Sequence, residues 1–229
     1  MAPDLPPPRR SAGRLTPVAE GLGAGAAAVF GALSGARRRR IFHPVGTAHD
    51  ATLIIHGGSL GSALLDEPAR WPCIVRLSRG LGLREPSPDI LGVAIRVPDA
   101  YGPGAHQDLL LATAGSAPVL RSVLWVARSG DRSHYSSVLP HRIGDGHAYL
   151  GARPLEPGAT GPRFALEVAL PLGAWREVAL LEVGRAWDAA ASDALRFNPL
   201  FTGGGIEPVG FLQTLRRRAY AGSQAARPQ

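Results

Sequence analysis

Lysine is missing altogether: all 25 basic side chains are arginines, set against 18 acids for a net charge of +7. Beside 29 glycines and 21 prolines, that one-sided usage reads as compositional bias, and total charge alone selects no partner. Cysteine is reduced to Cys73 in an apolar stretch. No intrachain disulfide and no cysteine-based metal site can therefore be built, and a reducing, cytoplasmic setting is expected. Aromatic residues make up only 6%, and neither arginine cluster, Arg37 to Arg40 or Arg216 to Arg218, is interleaved with rings that could stack on bases; no nucleic-acid partner is expected. Long hydrophobic runs are absent too. The apolar stretch from Leu22 to Leu33 falls short of the ~20 residues of a spanning helix. Preceded by Arg9 and Arg10, it resembles a twin-arginine export signal, but Glu20, the many small residues and the four arginines that follow in place of a cleavage site argue against export.

What is present is enough chain for one sizeable core. Residues 1–12 are proline-rich and read as a disordered tail, leaving 13–229 as a single domain. Thr16 and Pro17 suit the N-cap and first turn of a helix running into the arginine cluster, where the helix dipole favours cations. From His43 onward the pattern changes to short β-type runs punctuated by glycine and proline: 51–56, 73–78, 91–97, 108–113, 163–170 and 176–183. Such spacing predicts a barrel or sandwich. Residues 117–127 and 132–139 are expected to be helical, as is 209–226, entered from a glycine-rich loop. No internal repeat is evident.

Within that last segment Arg216, Tyr220 and Gln224 fall at i, i+4 and i+8 on one helical face, with Arg227 on the same stripe. A phenol ionises near pH ~10, so a phenolate at neutral pH needs a metal and a positive neighbour. Taken alone, the stripe is more simply an amphipathic helix with solvated arginines. His43, before a proline, is by itself an ordinary loop histidine. Arg76 sits in an apolar β-run, where a buried charge requires an anionic partner; that partner can be a bound acid or a carboxylate of the chain. His49, His56, His106, His134, His141 and His147 show no metal-ligand spacing and read as surface or structural residues.

Three islands, in order, resemble the haem catalases. The last, GIEPVGFLQTLRRRAYAGSQAAR, follows that family's haem-ligand segment at GIEP, Leu212, Arg216, Tyr220, Gln224 and Arg227, preceded by Phe197-Asn198-Pro199. The first, RRRRIFHPVG, matches the distal segment at Arg40, His43 and Gly46. The middle one pairs VRLS, which includes Arg76 and Ser78, with a run matching at Ser87, Asp89, Gly92 and Ala94. The resemblance covers about residues 37–227, with low identity between the islands. It implies an α+β fold: an antiparallel catalase-type β-barrel with flanking helices, an N-terminal helix and a C-terminal haem-ligand helix. It also implies haem b as cofactor, with Tyr220 as axial ligand of the iron. Arg216 and Gln224 would line that ligand, Arg40, Arg76 and Arg227 would hold the propionates, His43 would be the distal base, and Ser78 would orient its imidazole.

The chain also departs from the family. Where the distal asparagine is expected, at the end of Gln107-Asp108-Leu109-Leu110-Leu111-Ala112-Thr113, it carries Ala112 or Thr113, and Thr113 is the polar candidate for that place. Trp125 replaces a phenylalanine pair of the distal wall. These losses and the short scaffold imply a haem peroxidase that oxidises small organic reductants with peroxide, with weak or no catalase activity. The alternatives are a hydroperoxide-rearranging enzyme of the allene oxide synthase type and a haem-binding protein without turnover. A homodimer is expected from the resemblance, and no membrane span.

Overall fold

The computed structural model describes residues 45–209. The N-terminal tail, the expected helix at 16–40 and, beyond its first residue, the one expected at 209–226 lie outside the described residues, as do Arg40, His43, Arg216, Tyr220, Gln224 and Arg227.

The described chain is built from antiparallel strands. In order these are β1 (Val45–Ile55), β2 (Ala69–Arg79), β3 (Leu91–Val97), β4 (Gln107–Thr113), β5 (Tyr135–Ser136), β6 (His141–Ile143), β7 (Gly146–Gly158), β8 (Gly161–Ala169), β9 (Arg176–Ala186) and β10 (Ile206–Pro208). Hydrogen bonding runs β7-β5-β4-β3-β2-β1-β9-β8, and β8 pairs back onto β7, closing an eight-stranded barrel. The short strand β6 pairs with the start of β7, at Gly146 to Ala148, and β10 pairs with β6. Closure removes the unpaired edges that would invite association.

The strands alternate as a barrel requires. Leu53, Ile55, Val75, Val93, Ile95, Leu109, Leu111, Leu150, Leu166, Val183 and Leu181 point inward and are buried, forming one continuous core. At 25 cal/mol per Å², each such aliphatic side chain contributes about 2 kcal/mol when fully buried. Inside, Tyr135 meets Phe164 edge to face at a centroid distance of 5.9 Å.

The expectation of flanking helices does not hold among the described residues. One helix of six residues, α1 (Ala189–Ala194), packs on β1, its N-cap Asp188 accepting a 2.8 Å bond from the Ala191 amide. Residues 117–127, expected as a helix, form a single 3₁₀ turn at Pro118–Leu120 and then an extended stretch. The amide of Trp125 donates to the Thr113 carbonyl, and Ala127 exchanges two bonds with Asp89. Residues 132–139, also expected as a helix, instead supply β5, because Tyr135 is drawn into the barrel between Thr113 and Ala152. Barrel closure outweighed local propensity at both places.

Candidate functional site

The outward faces of β1 to β4 form a small grid, fixed by the strand register. One row is Gly46, Ser78, Gly92, Ala112; the next is Ala48, Arg76, Ala94, Leu110; the third is Asp50, Ile74, Arg96, Asp108. Two-residue periodicity makes these the face opposite the core set. Towards β3 and β4 the first two rows bring three small residues side by side: Gly92, which is buried, and Ala94 and Ala112, which are half-buried. Around that low ground stand Ser78, Arg76 and Leu110, the last 39% exposed. A flat face of small residues on a barrel wall is a seat for a broad, planar ligand, and one arginine beside it suits an acidic edge.

The floor has borders on three sides. On the β1 side stands α1, whose Ser192 hydroxyl accepts a 3.0 Å bond from the Ala48 amide. A surface recess of about 330 Å³, lined by Gly46, Thr47, Trp187 and Ser192, lies there. Past the third row runs the segment 196–201. Asp108 accepts two bonds from Arg96, at 2.7 and 2.6 Å, and one from the Asn198 amide at 2.7 Å. Its own amide donates to the Phe201 carbonyl at 2.7 Å. Phe197 and Phe201 place their rings 5.1 and 5.2 Å from the Arg96 guanidinium.

The border past the first row is the loop 80–90 together with residues 118–127. Asp89, fully buried, organises that loop: it accepts from the amides of Leu81, Leu83 and Ile90 at 2.7, 3.0 and 2.7 Å and lies 3.6 Å from Arg79. Trp125 stands on this rim, 59% exposed.

Of the residues singled out in the sequence, the described chain brings two together: Arg76 and Ser78, two positions apart on the same face of β2. Ser78 donates to the Gly92 carbonyl at 3.4 Å, across the first row. Thr113 does not join them. It is buried and turned inward opposite Tyr135, accepting from the Leu91 amide at 3.1 Å and donating to the Trp125 carbonyl at 2.5 Å. Its hydroxyl is thereby committed to holding the rim. The outward position is Ala112, which carries no polar group.

Sequence reasoning did not find the Arg96–Asp108 pair, although its signal was available: two opposite charges, each at an outward position of a neighbouring strand. It also missed a second polar group, on the far side of the barrel. There His134 Nε2 lies 3.0 Å from Glu167, Arg153 donates to the other Glu167 oxygen at 3.0 Å, and the His134 ring packs 4.7 Å from Trp175. Burial would raise the Glu167 carboxyl, but the bonds from His134 and Arg153 outweigh it and hold its pKa below the ordinary value. Among the described residues no cluster of histidine, cysteine and acids could hold a metal, and no helix is long and apolar enough to cross a membrane.

No protein-family model and no curated protein sequence matches the chain. Solved structures do. A fungal catalase superposes with a TM-score of 0.57 at 13% identity, covering 81% of this chain and 59% of that one. Catalase A from Saccharomyces cerevisiae gives 0.59 at 11% identity, covering 87% and 63%. This chain therefore spans about three fifths of the length of those two catalases. What the likeness establishes is the fold: the chain is an antiparallel eight-stranded β-barrel of the catalase type.

Proposed function

We propose that the chain binds haem b on the outer face of β1 to β4 and acts as an oxidoreductase, a peroxidase that uses hydrogen peroxide or an organic hydroperoxide to oxidise small organic molecules. The observation that carries this reading is the floor itself: Gly92, Ala94 and Ala112 leave room for a flat macrocycle, and Arg76 and Ser78 stand beside it. These residues fit the group in shape and charge.

In this proposal Tyr220 would hold the iron through its phenolate, which Arg216 would help keep ionised, and Gln224 would line the same helix face. Arg40, Arg76 and Arg227 receive the propionates through their planar forks. Bound haem supplies the redox centre at which the O–O bond of peroxide is broken. His43 carries the proton from the inner peroxide oxygen to the outer one, so that water or an alcohol leaves; a positioned base of this kind is worth roughly 10²–10⁴ in rate. Ser78 orients that imidazole. Two organic reductant molecules, each giving up one electron and one proton, would balance the reduction of one hydroperoxide to an alcohol and water, or of hydrogen peroxide to two waters.

Ala112, the outward residue of its strand, leaves no polar side chain to hold a second peroxide, which favours reductant oxidation over oxygen release. The exposed rim at Trp125 favours bulky reductants in the same way. The test is an absorption spectrum of protein expressed with haem supply, beside Tyr220→Phe, followed by peroxide with an oxidisable dye. A ferric high-spin spectrum lost in the variant, with dye oxidation exceeding oxygen release, is expected. A wild-type protein that takes up no haem overturns the proposal. Dye-independent conversion of a lipid hydroperoxide would instead select a rearranging enzyme.

A further inference from the structure

We infer that the protein docks on an anionic lipid surface, without crossing it, through an apolar patch formed by residues 118–126, the loop 80–90 and the β8–β9 turn. Docking of this kind does not depend on bound haem.

The segment 118–127 turns the usual distribution of side chains inside out. Its arginine, Arg121, is buried, at 1% exposure, while Val119, Val123, Trp125 and Val126 stand in solvent. The backbone is pinned in that arrangement. The Trp125 amide donates to the Thr113 carbonyl at 2.8 Å, Ala127 exchanges two bonds with Asp89, and the Arg121 guanidinium donates to the carbonyls of Leu170 and Gly173. The same ties bring two further segments alongside. Arg121 joins the β8–β9 turn, where Leu170 and Leu172 are exposed, the latter at 86%. Asp89 holds the amides of Leu81 and Leu83, whose side chains are exposed as well. Most of the large apolar side chains exposed among the described residues fall in these three segments. Apolar surface gathered in this way marks a contact with a protein or a membrane.

Charge selects between the two. Arg84, Arg128 and Arg132 are exposed beside the patch, together with the acids Glu85 and Asp131. Glu85 lies 3.5 Å from Arg79, and Asp131 accepts a bond from Ser129, so the balance of the patch is positive. A twofold pairing of copies would set the patch against itself and bring like charges together. A bilayer with anionic headgroups accepts both features. The aliphatic side chains enter the acyl boundary, the Trp125 indole lies at headgroup level, and the arginines reach phosphates from stems laid along the apolar ground. The net charge of +7 adds a general attraction to such a surface.

The experiment measures sedimentation of the full chain with vesicles of phosphatidylcholine and phosphatidylglycerol, and with phosphatidylcholine alone, beside the oligomeric state in solution. Wild type is expected to bind the mixed vesicles, less so at high salt, and to bind phosphatidylcholine weakly. Trp125→Ser/Leu172→Ser is expected to weaken binding about tenfold or more, and Arg128→Gln/Arg132→Gln about tenfold on the anionic vesicles only. Lipids brominated near the headgroup are expected to quench the emission of wild type more than that of Trp125→Phe.

Wild type that sediments with neither vesicle overturns the inference. So does binding at full strength in Trp125→Ser/Leu172→Ser, which places the lipid on another part of the chain, and so does a wild-type dimer that this variant abolishes, which gives the patch to a second copy. Should the double variant fail to fold, Leu172→Ser alone decides: a loss of about threefold or more supports the inference, and a smaller one overturns it. Haemin uptake is followed separately, and its failure would overturn the haem reading while leaving the docking surface standing.

Discussion

The guanidinium of Arg121 lies 4.5 Å from the centroid of the Trp175 ring and donates to the carbonyls of Leu170 and Gly173 at 2.7 and 2.6 Å. One buried arginine thus ties the rim segment that follows β4 to the β8–β9 hairpin. Replacing it with methionine keeps the apolar stem but leaves both carbonyls without their donor and removes the cation from the indole face. Charge-assisted bonds of this kind contribute about 1.5–3 kcal/mol, and a partly desolvated cation–π contact adds about 1. Arg121→Met is expected to lower stability by about 3 kcal/mol, read as a fall in the urea midpoint at unchanged slope, and to alter Trp175 fluorescence.

Gly151 holds the same corner from the sheet side. A Cβ there would stand 2.7 Å from the Trp175 ring and 3.1 Å from Cε1 of His134. Gly151→Ala must push the indole off its seat, stretching its 2.8 Å bond to the Ser116 carbonyl. Overpacking of this type costs typically ~1–3 kcal/mol. The expected signature is a lowered thermal midpoint together with a changed near-ultraviolet circular dichroism band, the far-ultraviolet β-signal being retained.

Two groups give the stability a common direction in acid. Burial pushes the His141 imidazole down to about 4, against an interaction with the Leu139 carbonyl, as acceptor, that works the other way. The folded protein therefore keeps His141 neutral while the unfolded chain takes up a proton below its ordinary 6.5. This contribution is present in full above pH ~6.5 and is lost as pH falls from there toward about 4, amounting to about 3 kcal/mol. Glu167, whose pKa is lowered, contributes above its unfolded value and loses that contribution as pH falls through the folded one. Urea midpoints taken from pH 7 to pH 4 should fall steadily. In His141→Phe the loss between pH 6.5 and 5 should shrink; an unchanged profile would show that His141 is not the group responsible.

The sequence made most of the barrel legible where strands alternate in hydrophobicity. The runs at 73–78, 91–97 and 176–183 lie within β2, β3 and β9. The strand β7 escaped because its sequence, GHAYLGARPLEPG, carries the glycines and prolines of a loop. The structure supplies the reason: Gly151 must be small to seat Trp175, a demand that comes from residues 24 positions away. Residues 117–127 misled in the opposite sense, since their helix-like apolar spacing serves an extended stretch held by Thr113 and Asp89. At the candidate site, Arg76 and Ser78 were legible as a motif on one strand face. The Thr113 assignment was not, because a one-residue choice between Ala112 and Thr113 is a choice between opposite faces, and only the register with β3 and β5 resolves it.

That register supports a pair of contrasting substitutions. Ala112 faces outward across from Gly92, in the row that holds Ser78, whereas Thr113 faces the core with its hydroxyl bonded on both sides. Under the peroxidase proposal, an amide side chain at 112 would place a donor over the floor, where a second peroxide could be held. Ala112→Asn is expected to raise the ratio of oxygen release to dye oxidation severalfold, with stability lowered by about 1 kcal/mol or less, Ala112 being half-buried on the outward face. Thr113→Asn is expected to do the reverse. It puts a larger polar group into a packed interior and disturbs the bonds to Leu91 and Trp125, at a cost of about 2–3 kcal/mol, with no gain in oxygen release. Oxygen-electrode and dye assays on the two variants, beside their urea midpoints, separate the cases. Gain of oxygen release in Thr113→Asn and not in Ala112→Asn would place the peroxide on the other side of the strand and defeat the outer-face site.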